Sequence, residues 1–259
     1  MKPLISISLL TVSFLILSFS PANFIAPALR KVVLDIGHGG KDPGTLGVSN
    51  TMEKDVAFKV ATQLGSILET QMPDLIRRYT RYTDDLIPLA ERARIANKEG
   101  ADLFISIHAN ASANPAIIGT ETYIAGLSST RESIETAMRE NRAIAHEKNK
   151  KVYQDFNANS NIDFIMAANR QNIIREKSLQ MAQFVEYNFG ARTINRNSRG
   201  VKSADFIVLY KTGMPSILVE IGYLSNSEEE KYLNSEEGIY ETASALYRAI
   251  RDYKEYIEK

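Results

Sequence analysis

The sequence LDIGHGGKDPG, residues 34–44, joins a short apolar run to a loop that holds one histidine, His38, among three nearby glycines. Residues 31–36 are mostly apolar and β-branched, which predicts a buried strand. Residues 53–71 then repeat apolar side chains at the spacing of a helix. The stretch therefore predicts a strand, a loop and a helix, with an imidazole at the point where the strand ends.

The same alternation of strand-like and helix-like segments continues along the chain. Predicted strands cover residues 31–36, 75–79, 101–110, 119–126, 204–210 and 216–222. Predicted helices cover residues 53–71, residues 88–99 with Gly100 as a stop, and a closing segment marked by Ile239, Ala243, Leu246 and Ile250. This alternation favours an α/β fold with a mainly parallel, twisted sheet of about six strands and helices on both faces. Because the sequence has no repeat or low-complexity segment, we expect one domain over residues 23–259.

The composition narrows the classes of function. The chain has 259 residues, of which 44% are hydrophobic, enough for one sizeable core. Thirty-one lysines and arginines balance 31 aspartates and glutamates, so no net field attracts nucleic acid or anionic lipid, and nucleic acid is not an expected partner. The absence of cysteine excludes disulfides, thiolate metal sites and a cysteine nucleophile. Any metal would be held by nitrogen and oxygen ligands.

The first residues are typical of an export signal. A positively charged start precedes an apolar run over residues 4–19, and the small-residue stretch SPA, residues 20–22, follows as a cleavage site. A retained membrane anchor is the alternative, because the run approaches the roughly 17 to 20 residues of a spanning helix. We favour a signal peptide over residues 1–22. A periplasmic or secreted location follows, with the membrane contacted only through this segment before cleavage.

Polar groups that could do chemistry follow the predicted strands. His38 follows the first strand, His108 ends the third and Glu220 ends the last. In open sheets of this class, sites form beyond the carboxyl ends of the strands. Glu53 begins the helix after the His38 loop, so the loop can bring these two side chains together. Two imidazoles and one carboxylate form the ligand set of a catalytic zinc site, and Glu220 is placed to take a proton from bound water.

Each of these residues also has a structural interpretation. His38 could belong to a phosphate-binding loop, although DPG at residues 42–44 delays the helix that such a loop needs. His108 could be a hydrogen-bonded histidine of the core, and Glu53 could stabilise a helix N-terminus. Glu220 differs, because an unpaired carboxylate between apolar segments is costly to bury. The spacing alone is weak support for a metal site, since the sequence has no HExxH motif.

Ordered motifs along the chain resemble those of a known family. They are VVLDIGHGGKDPGTLG, EKDVAFKVA, LAERARIAN, ADLFISIHANAS, GTETY, RGVKSADFIVL and PSILVEIGYLSNSEEEKYL, together with TR and D within residues 80–84. The set resembles the zinc-dependent N-acetylmuramoyl-L-alanine amidases of the amidase-3 family. The similarity runs from about Lys31 to the C-terminus and includes every chemical position named above.

The resemblance implies a reaction and a role for each residue. The family's zinc ligands fall on His38, Glu53 and His108, and its catalytic glutamate falls on Glu220. The implied reaction is hydrolysis of the amide that joins N-acetylmuramic acid to L-alanine in peptidoglycan, in cell-wall remodelling and daughter-cell separation. Zn²⁺ is the implied cofactor and peptidoglycan the implied partner. A wall-binding or regulatory protein without turnover is the alternative, which the absence of any of these four residues would favour.

A polar, largely helical insertion at about residues 128–161 departs from a minimal enzyme of this family. Its length near a site is typical of a lid, and it resembles the insertion of periplasmic cell-separation amidases, in which a helix covers the cleft and places a carboxylate on the zinc. By this resemblance Glu140 is the first candidate and Glu147 the second, and an activator protein would displace the helix. A thin apolar stripe, Ile134, Met138 and Ala145, would dock it weakly. A solvated helix without regulatory function is the alternative, and His146 is expected at the surface.

Overall fold

One six-stranded sheet organises the part of the chain that the structure, a computed structural model, describes. That part comprises residues 28–128, 130–149, 161–192 and 197–259. The strands are β1 (Lys31–Ile36), β2 (Ile76–Tyr79), β3 (Leu103–Asn110), β4 (Thr120–Ala125), β5 (Ser198–Ala204) and β6 (Ser216–Tyr223). The helices are α1 (Glu53–Gln71), α2 (Leu89–Glu99), α3 (Arg131–Asn141), α4 (Asn161–Gly190), α5 (Ile207–Tyr210), α6 (Ser227–Asn234) and α7 (Glu236–Ile257), with a 3₁₀ turn at Arg142–His146.

The strands lie in the order β2-β1-β3-β6-β4-β5. All neighbours are parallel except β4 and β6, which are antiparallel. The prediction of a mainly parallel α/β sheet is therefore confirmed. The order places β1, β3 and β6 side by side, so the residues at their carboxyl ends meet at one edge of the sheet.

Helices cover both faces of the sheet, as predicted, because the strands carry apolar side chains on both faces. In β1, Val32 and Leu34 pack into a core formed with α1, α4 and α7. Val33, which points the other way, joins Phe104 and Leu218 in a second core beneath α2 and α5. Burial of one such side chain stabilises the fold by about 1.5–3 kcal/mol, so the two cores together fix the register of the strands.

The first two helices begin and end where the sequence indicates. In α1, the apolar stripe that includes Val56, Val60 and Leu64 is buried, because residues spaced by three and four lie on one helix face. α2 ends at Gly100, whose φ of 59° lies in the left-handed region. Glycine adopts this conformation without steric cost, which explains the predicted stop.

Two details of the predicted strands are wrong. Residues 204–210 do not form a strand: β5 ends at Ala204, and the apolar residues that follow form the short helix α5. A short apolar run does not distinguish a strand from a buried helical turn. Here Val208 and Leu209 are buried within the helix α5, and Phe206 is buried just before it. The strand at this edge instead consists of the more polar sequence SRGVKSA. His108 and Glu220, which were both predicted to end their strands, lie within β3 and β6 instead.

None of the helices that the structure describes combines the length and apolar content of a membrane span. The predicted signal peptide, residues 1–22, lies outside the described residues. It remains a prediction of the sequence.

Candidate active site

Four side chains that could bind a metal meet at the carboxyl edge of the sheet. His38 lies in the loop after β1, Glu53 is the first residue of α1, His108 lies in β3 and Glu140 lies in the last turn of α3. One ligand atom from each lies within 4.8 Å of the others, and all four residues are buried. His38 Nε2 is 3.0 Å from Glu53 Oε1 and 3.1 Å from Glu140 Oε2. His108 Nδ1 is 3.0 Å from each of these oxygens. The cluster could hold a metal ion.

The loop after β1 holds His38 in an unusual backbone conformation. Its φ of 56° lies in the left-handed region, which residues other than glycine rarely adopt. His38 Nδ1 is 2.9 Å from Asp42 Oδ2, and the carbonyl oxygen of His38 accepts a hydrogen bond of 2.7 Å from Arg92. At Gly44, a Cβ would lie 2.6 Å from Glu53 Oε2 and from the His38 ring. Glycine at this position therefore allows the loop to fold against the candidate ligands.

Backbone groups orient the carboxylate of Glu53. Its Oε1 accepts a hydrogen bond of 3.0 Å from the N–H of Ala109, and its Oε2 accepts one of 2.8 Å from the N–H of Thr45. Burial raises the pKa of Glu53, but the charge of His38, together with hydrogen bonds from His108 and His38, outweighs burial and lowers this pKa to about 2. The carboxylate is thus ionised and directed towards the two histidines.

The donor atoms fit a metal ion better than they fit one another. When His38 Nδ1 donates to Asp42, the Nε2 of the neutral ring carries a lone pair, and this lone pair faces two carboxylate oxygens. His38 Nε2 and Glu140 Oε2 are both buried without a hydrogen-bond partner. Such lone pairs repel unless a cation lies between them. Ligands held tetrahedrally at about 2.0 Å from zinc are about 3.3 Å apart, close to the separations observed here.

The charges of the cluster also favour a cation. Burial lowers the pKa of His108, but the charge of the adjacent Glu140, together with the contact between His108 and Glu53, outweighs burial and raises this pKa to about 9. Burial raises the pKa of Glu140, but His108 and His38 hold it well below its ordinary range. Protons or a metal ion can supply the positive charge, and a metal displaces the imidazole protons when it binds.

Glu220 lies beside the cluster as a buried carboxyl group without a hydrogen-bond partner. It is the neighbour of His108 across β3 and β6, and neither of its side-chain oxygens is hydrogen-bonded. Burial, and after it the charge of Glu140, raises the pKa of Glu220 well above its ordinary value, while Arg139 partly opposes this from 3.6 Å. A carboxyl group with a raised pKa suits general acid–base catalysis.

α3 covers this site with a polar face, contrary to the predicted apolar docking. Ile134 and Met138 are 46% and 57% exposed, and Ala145 is exposed as well. The buried residues of α3 are Ser133, Thr136, Ala137 and Glu140. The helix turns its polar face inward because the groups beneath it are charged or hydrogen-bonding, and those groups come from other segments of the chain.

Glu147, the second candidate for a zinc contact, binds the start of α2 instead of lying in the metal cluster. It is buried, but its Oε1 accepts a hydrogen bond of 2.9 Å from the N–H of Leu89, at the start of α2. A carboxylate is stabilised there by the unpaired amides of the helix. His146 is partly buried at the end of the 3₁₀ turn.

The space that remains next to the cluster is small. A cavity of about 10 Å³ is lined by residues that include His38, His108 and Glu140, which is no more than a single water molecule needs. A peptide or a sugar therefore has no access to this part of the cleft while α3 is in place.

Three residues at the site were not identified from the sequence. Asp42 supports His38, and its position four residues after the histidine in HGGKD is the one local signal. Arg139 lies between Glu220 and Glu140, because its Nε is 3.0 Å from Glu140 Oε1. Glu121 of β4 is the register partner of Glu220 and is buried. Its position resembles any inward-facing strand residue, so the sequence gives no signal for it.

Comparison with known proteins agrees with this geometry. Residues 32–252 match the Amidase_3 family, described as N-acetylmuramoyl-L-alanine amidase. N-acetylmuramoyl-L-alanine amidase AmiA of Escherichia coli (strain K12) is 32% identical over 241 residues, which cover 86% of this chain and 76% of that protein. N-acetylmuramoyl-L-alanine amidase AmiC of Neisseria meningitidis serogroup B is 31% identical over 227 residues. This match covers 86% of the chain but about half, 52%, of that relative.

Solved structures share the fold. N-acetylmuramoyl-L-alanine amidase AmiC2 of Nostoc punctiforme superposes with a TM-score of 0.62 at 29% identity, over 86% of this chain and 96% of that one. The amidase from Clostridium difficile 630 superposes with a TM-score of 0.65 at 25% identity, over 87% and 97%. With the family match extending over most of its length and a buried two-histidine, two-glutamate cluster at the edge of its sheet, this chain belongs to the Amidase_3 family of N-acetylmuramoyl-L-alanine amidases.

Proposed function

We propose that this protein is a zinc-dependent N-acetylmuramoyl-L-alanine amidase that hydrolyses the bond between N-acetylmuramic acid and L-alanine in peptidoglycan. The observation that carries the proposal is the approach of His38, Glu53 and His108 to within ligand distance of one another, beside the unpaired carboxyl group of Glu220. The membership of the family supports the choice of substrate.

In this proposal His38, Glu53 and His108 hold the zinc. When bound, zinc would polarise the scissile carbonyl and lower the pKa of a water molecule. Asp42 fixes the tautomer of His38 through its hydrogen bond to Nδ1, so that Nε2 is free to act as a ligand. The backbone amides of Thr45 and Ala109 hold the Glu53 carboxylate in place before the metal arrives.

Glu220 is the proposed general base and general acid. In its ionised form Glu220 takes a proton from the attacking water. Its raised pKa favours holding that proton until it is given to the nitrogen of the departing L-alanine. A lone carboxyl group is suited to this because no hydrogen bond competes for its oxygens. The first product ends in the lactyl carboxylate of N-acetylmuramic acid, and the second begins with a free alanine amine.

We also propose that α3 is an autoinhibitory lid within a regulatory insertion at about residues 128–161, inside a single catalytic domain over residues 23–259. Glu140 is the carboxylate that takes the open position on the metal, a role supported by its distances of 3.0 and 3.1 Å from the two histidines. Glu147 holds the following turn against α2. Displacement of α3, by an activator protein or by substrate, would expose the site.

An envelope location completes the proposal. A signal peptide over residues 1–22 would direct the chain to the periplasm or outside the cell, where peptidoglycan is found, and wall remodelling during daughter-cell separation would be its setting. A lid suits such an enzyme, because unrestrained hydrolysis of the wall would endanger the cell.

Digestion of purified sacculi tests the proposed reaction. The zinc-loaded chain should release stem peptides with a new free alanine amine, which mass spectrometry identifies, and Glu220→Gln should release far less. New reducing sugar ends would indicate a glycosidase instead, and peptides cut internally would indicate an endopeptidase. Binding of sacculi without any product from the parent or from a Glu140→Ala variant would favour the wall-binding alternative.

A further inference from the structure

Two cations on β5 have no role in the mechanism above. Arg199 Nε and Lys202 Nζ each lie 2.6 Å from Oε1 of the buried Glu121. The hydroxyl groups of Tyr223 and Tyr123 also donate to Glu121, at 2.7 and 2.5 Å. One carboxylate thus receives four strong donors, of which two are charged.

The charges of this group do not cancel. Either cation alone would neutralise Glu121, so the pair leaves one positive charge in excess. The side chains of Arg199 and Lys202 are 25% and 18% exposed, so the excess charge lies at the surface of the cleft rather than in the core. Neutralisation of a buried glutamate therefore explains one of these cations but not both.

The pair borders the same cleft as the metal cluster. Glu121 is the register partner of Glu220 between β4 and β6, and residues paired in this way lie on the same face of a sheet. Asn110 connects the two regions, because its Nδ2 lies 3.4 Å from Glu121 Oε2 while its Oδ1 accepts a hydrogen bond of 2.8 Å from Arg139. Arg139 in turn contacts Glu140.

A carboxylate from α3 already lies against these cations. Glu132 Oε2 is 3.3 Å from the guanidinium of Arg199 and 3.7 Å from Lys202 Nζ. Glu132 itself is 62% exposed, so α3 lays it over the pair from the solvent side. The helix that brings Glu140 to the histidines thus brings a second carboxylate to the cations of β5.

Opening of α3 would remove both carboxylates together. Arg139 would leave as well, because it belongs to the same helix, whereas Arg199 and Lys202 belong to the sheet and would remain. The open cleft would then present a cluster for a metal and, along the same face, two cations with a single buried counter-ion. Arginine and lysine in such a position bind carboxylates through charge-assisted hydrogen bonds.

We propose that Arg199 and Lys202 form a subsite for a carboxylate of the stem peptide, and that Glu132 occupies it while α3 is closed. The inference rests on the proposed function, because it is the stem peptide beyond L-alanine that carries free carboxylates in peptidoglycan. The subsite would align the peptide side of the scissile bond, while the metal and Glu220 act on the bond itself.

Two soluble muramoyl peptides test the subsite. They are identical, except that the stem carboxylates are free in one and amidated in the other, and the zinc-loaded full chain is assayed on both. Closure of α3 reduces the apparent affinity for both substrates by the same factor, so this factor cancels from the ratio of their KM values. The parent should have the lower KM for the peptide with free carboxylates.

Lys202→Gln is the diagnostic variant, because Arg199 continues to neutralise Glu121 after the substitution. The fold should therefore be kept, and a thermal unfolding curve checks this. Loss of one charge-assisted hydrogen bond should raise the KM for the carboxylate peptide roughly 5- to 10-fold, with little change for the amidated one. Lys202→Arg should restore the preference. Lys59→Gln, which removes an exposed cation of α1, is the matched control and should leave the ratio unchanged.

The outcomes separate the subsite from the reaction. If the parent cleaves both peptides at the lactyl amide but Lys202→Gln keeps the parental KM ratio, or alters both KM values equally, the subsite is wrong and the proposed function stands. If neither the parent nor Glu140→Ala releases an alanine-terminated peptide, the proposed function is wrong and the subsite falls with it.

Discussion

Glu140 Oε2 and His108 Nδ1 lie 3.0 Å apart, in a contact between the covering helix α3 and the central strand β3. Both residues are buried, and the Glu140 oxygen has no hydrogen-bond partner. A helix that inserts a charged group among potential metal ligands is stabilised in that position by the metal and by protons. The same contact therefore connects metal binding, closure and activity, and each can be tested by a separate substitution.

Zinc content tests the ligand assignment. His108→Ala removes one of three proposed protein ligands and should reduce the zinc bound per chain from about one to well below one, as elemental analysis measures. His146→Ala is the control and should retain the metal, because this histidine lies in the 3₁₀ turn and does not belong to the cluster. Full zinc content with unchanged affinity in His108→Ala would show that the assignment is wrong.

Asp42→Asn tests the support of His38. An amide accepts the Nδ1–H bond less strongly than a carboxylate, so the tautomer and the basicity of His38 are less well fixed. Zinc affinity should fall about 10- to 100-fold, as competition with a chelator measures. An affinity equal to that of the parent would mean that the 2.9 Å contact has no effect on the metal.

Glu220→Gln tests proton transfer. The amide has nearly the same shape but cannot accept the proton of water, so turnover should fall about 10²- to 10⁴-fold. Zinc content and the thermal unfolding midpoint should be kept, because Glu220 makes no hydrogen bond that the substitution would break. Turnover near that of the parent would remove Glu220 from the mechanism.

Glu140→Ala tests closure. Loss of this carboxylate removes the contacts of α3 with both histidines, so basal activity on sacculi should rise while the cleaved bond stays the same. Glu135→Ala removes an exposed carboxylate from the same helix and should have no such effect. If the zinc-loaded Glu140→Ala protein is folded and no more active than the parent, α3 is not an inhibitory lid.

Asp35 links the stability of the fold to pH. It accepts hydrogen bonds from Arg92, Thr80 and Ser106 at 2.6–2.8 Å. Burial raises its pKa, but Arg92 and the two hydroxyl groups together lower it. Because the pKa is lower in the folded state than the value of about 3.9 in an unfolded chain, the stabilisation is present above that value and is lost as pH falls through the folded-state pKa.

Asp35→Asn should therefore destabilise the protein most near neutral pH. Loss of the charge that faces the buried Arg92 should lower the free energy of unfolding by about 3–5 kcal/mol, and the difference from the parent should shrink in acid. Urea unfolding at a series of pH values measures this. A difference that does not change between about pH 6 and pH 2 would contradict the assigned linkage.

The fold was predictable where one physical signal dominates. α1 has a single buried stripe, and β3 begins with three apolar residues and is buried throughout, so periodicity and length identify them. α4 was not identified, although Met181, Val185 and Phe189 are buried at helical spacing. Apolar residues on its outward face, Ile173, Leu179 and Tyr187, are exposed and obscure this periodicity in the sequence. The helical turn α5 was mistaken for a strand because a four-residue apolar run fits either structure.

The site was predictable to the extent that its residues lie at strand ends. His38 and His108 stand out as polar residues that follow apolar segments. Glu53 is identified because it begins the helix after the His38 loop, which brings the two side chains together. The inward face of α3 was not predictable, because Glu140 and Thr136 are buried against groups from distant segments, the two histidines and Tyr123 respectively. Glu121 was not either, since only the three-dimensional register places it beside Glu220.

The position of β6 has a consequence for how the enzyme matures. This strand, Ser216–Tyr223, lies in the middle of the sheet between β3 and β4, yet it follows the other five strands of the sheet in the sequence. The three proposed ligands lie within the first half of the sequence, on or beside β1, α1 and β3, and β1 pairs directly with β3. β6 carries Glu220 and joins this half of the sheet to β4 and β5. Pairing of such distant segments is slow compared with local contacts. The metal ligands can therefore assemble before β6 pairs, whereas the complete site, with Glu220 beside His108, forms only when β6 joins the two halves of the sheet.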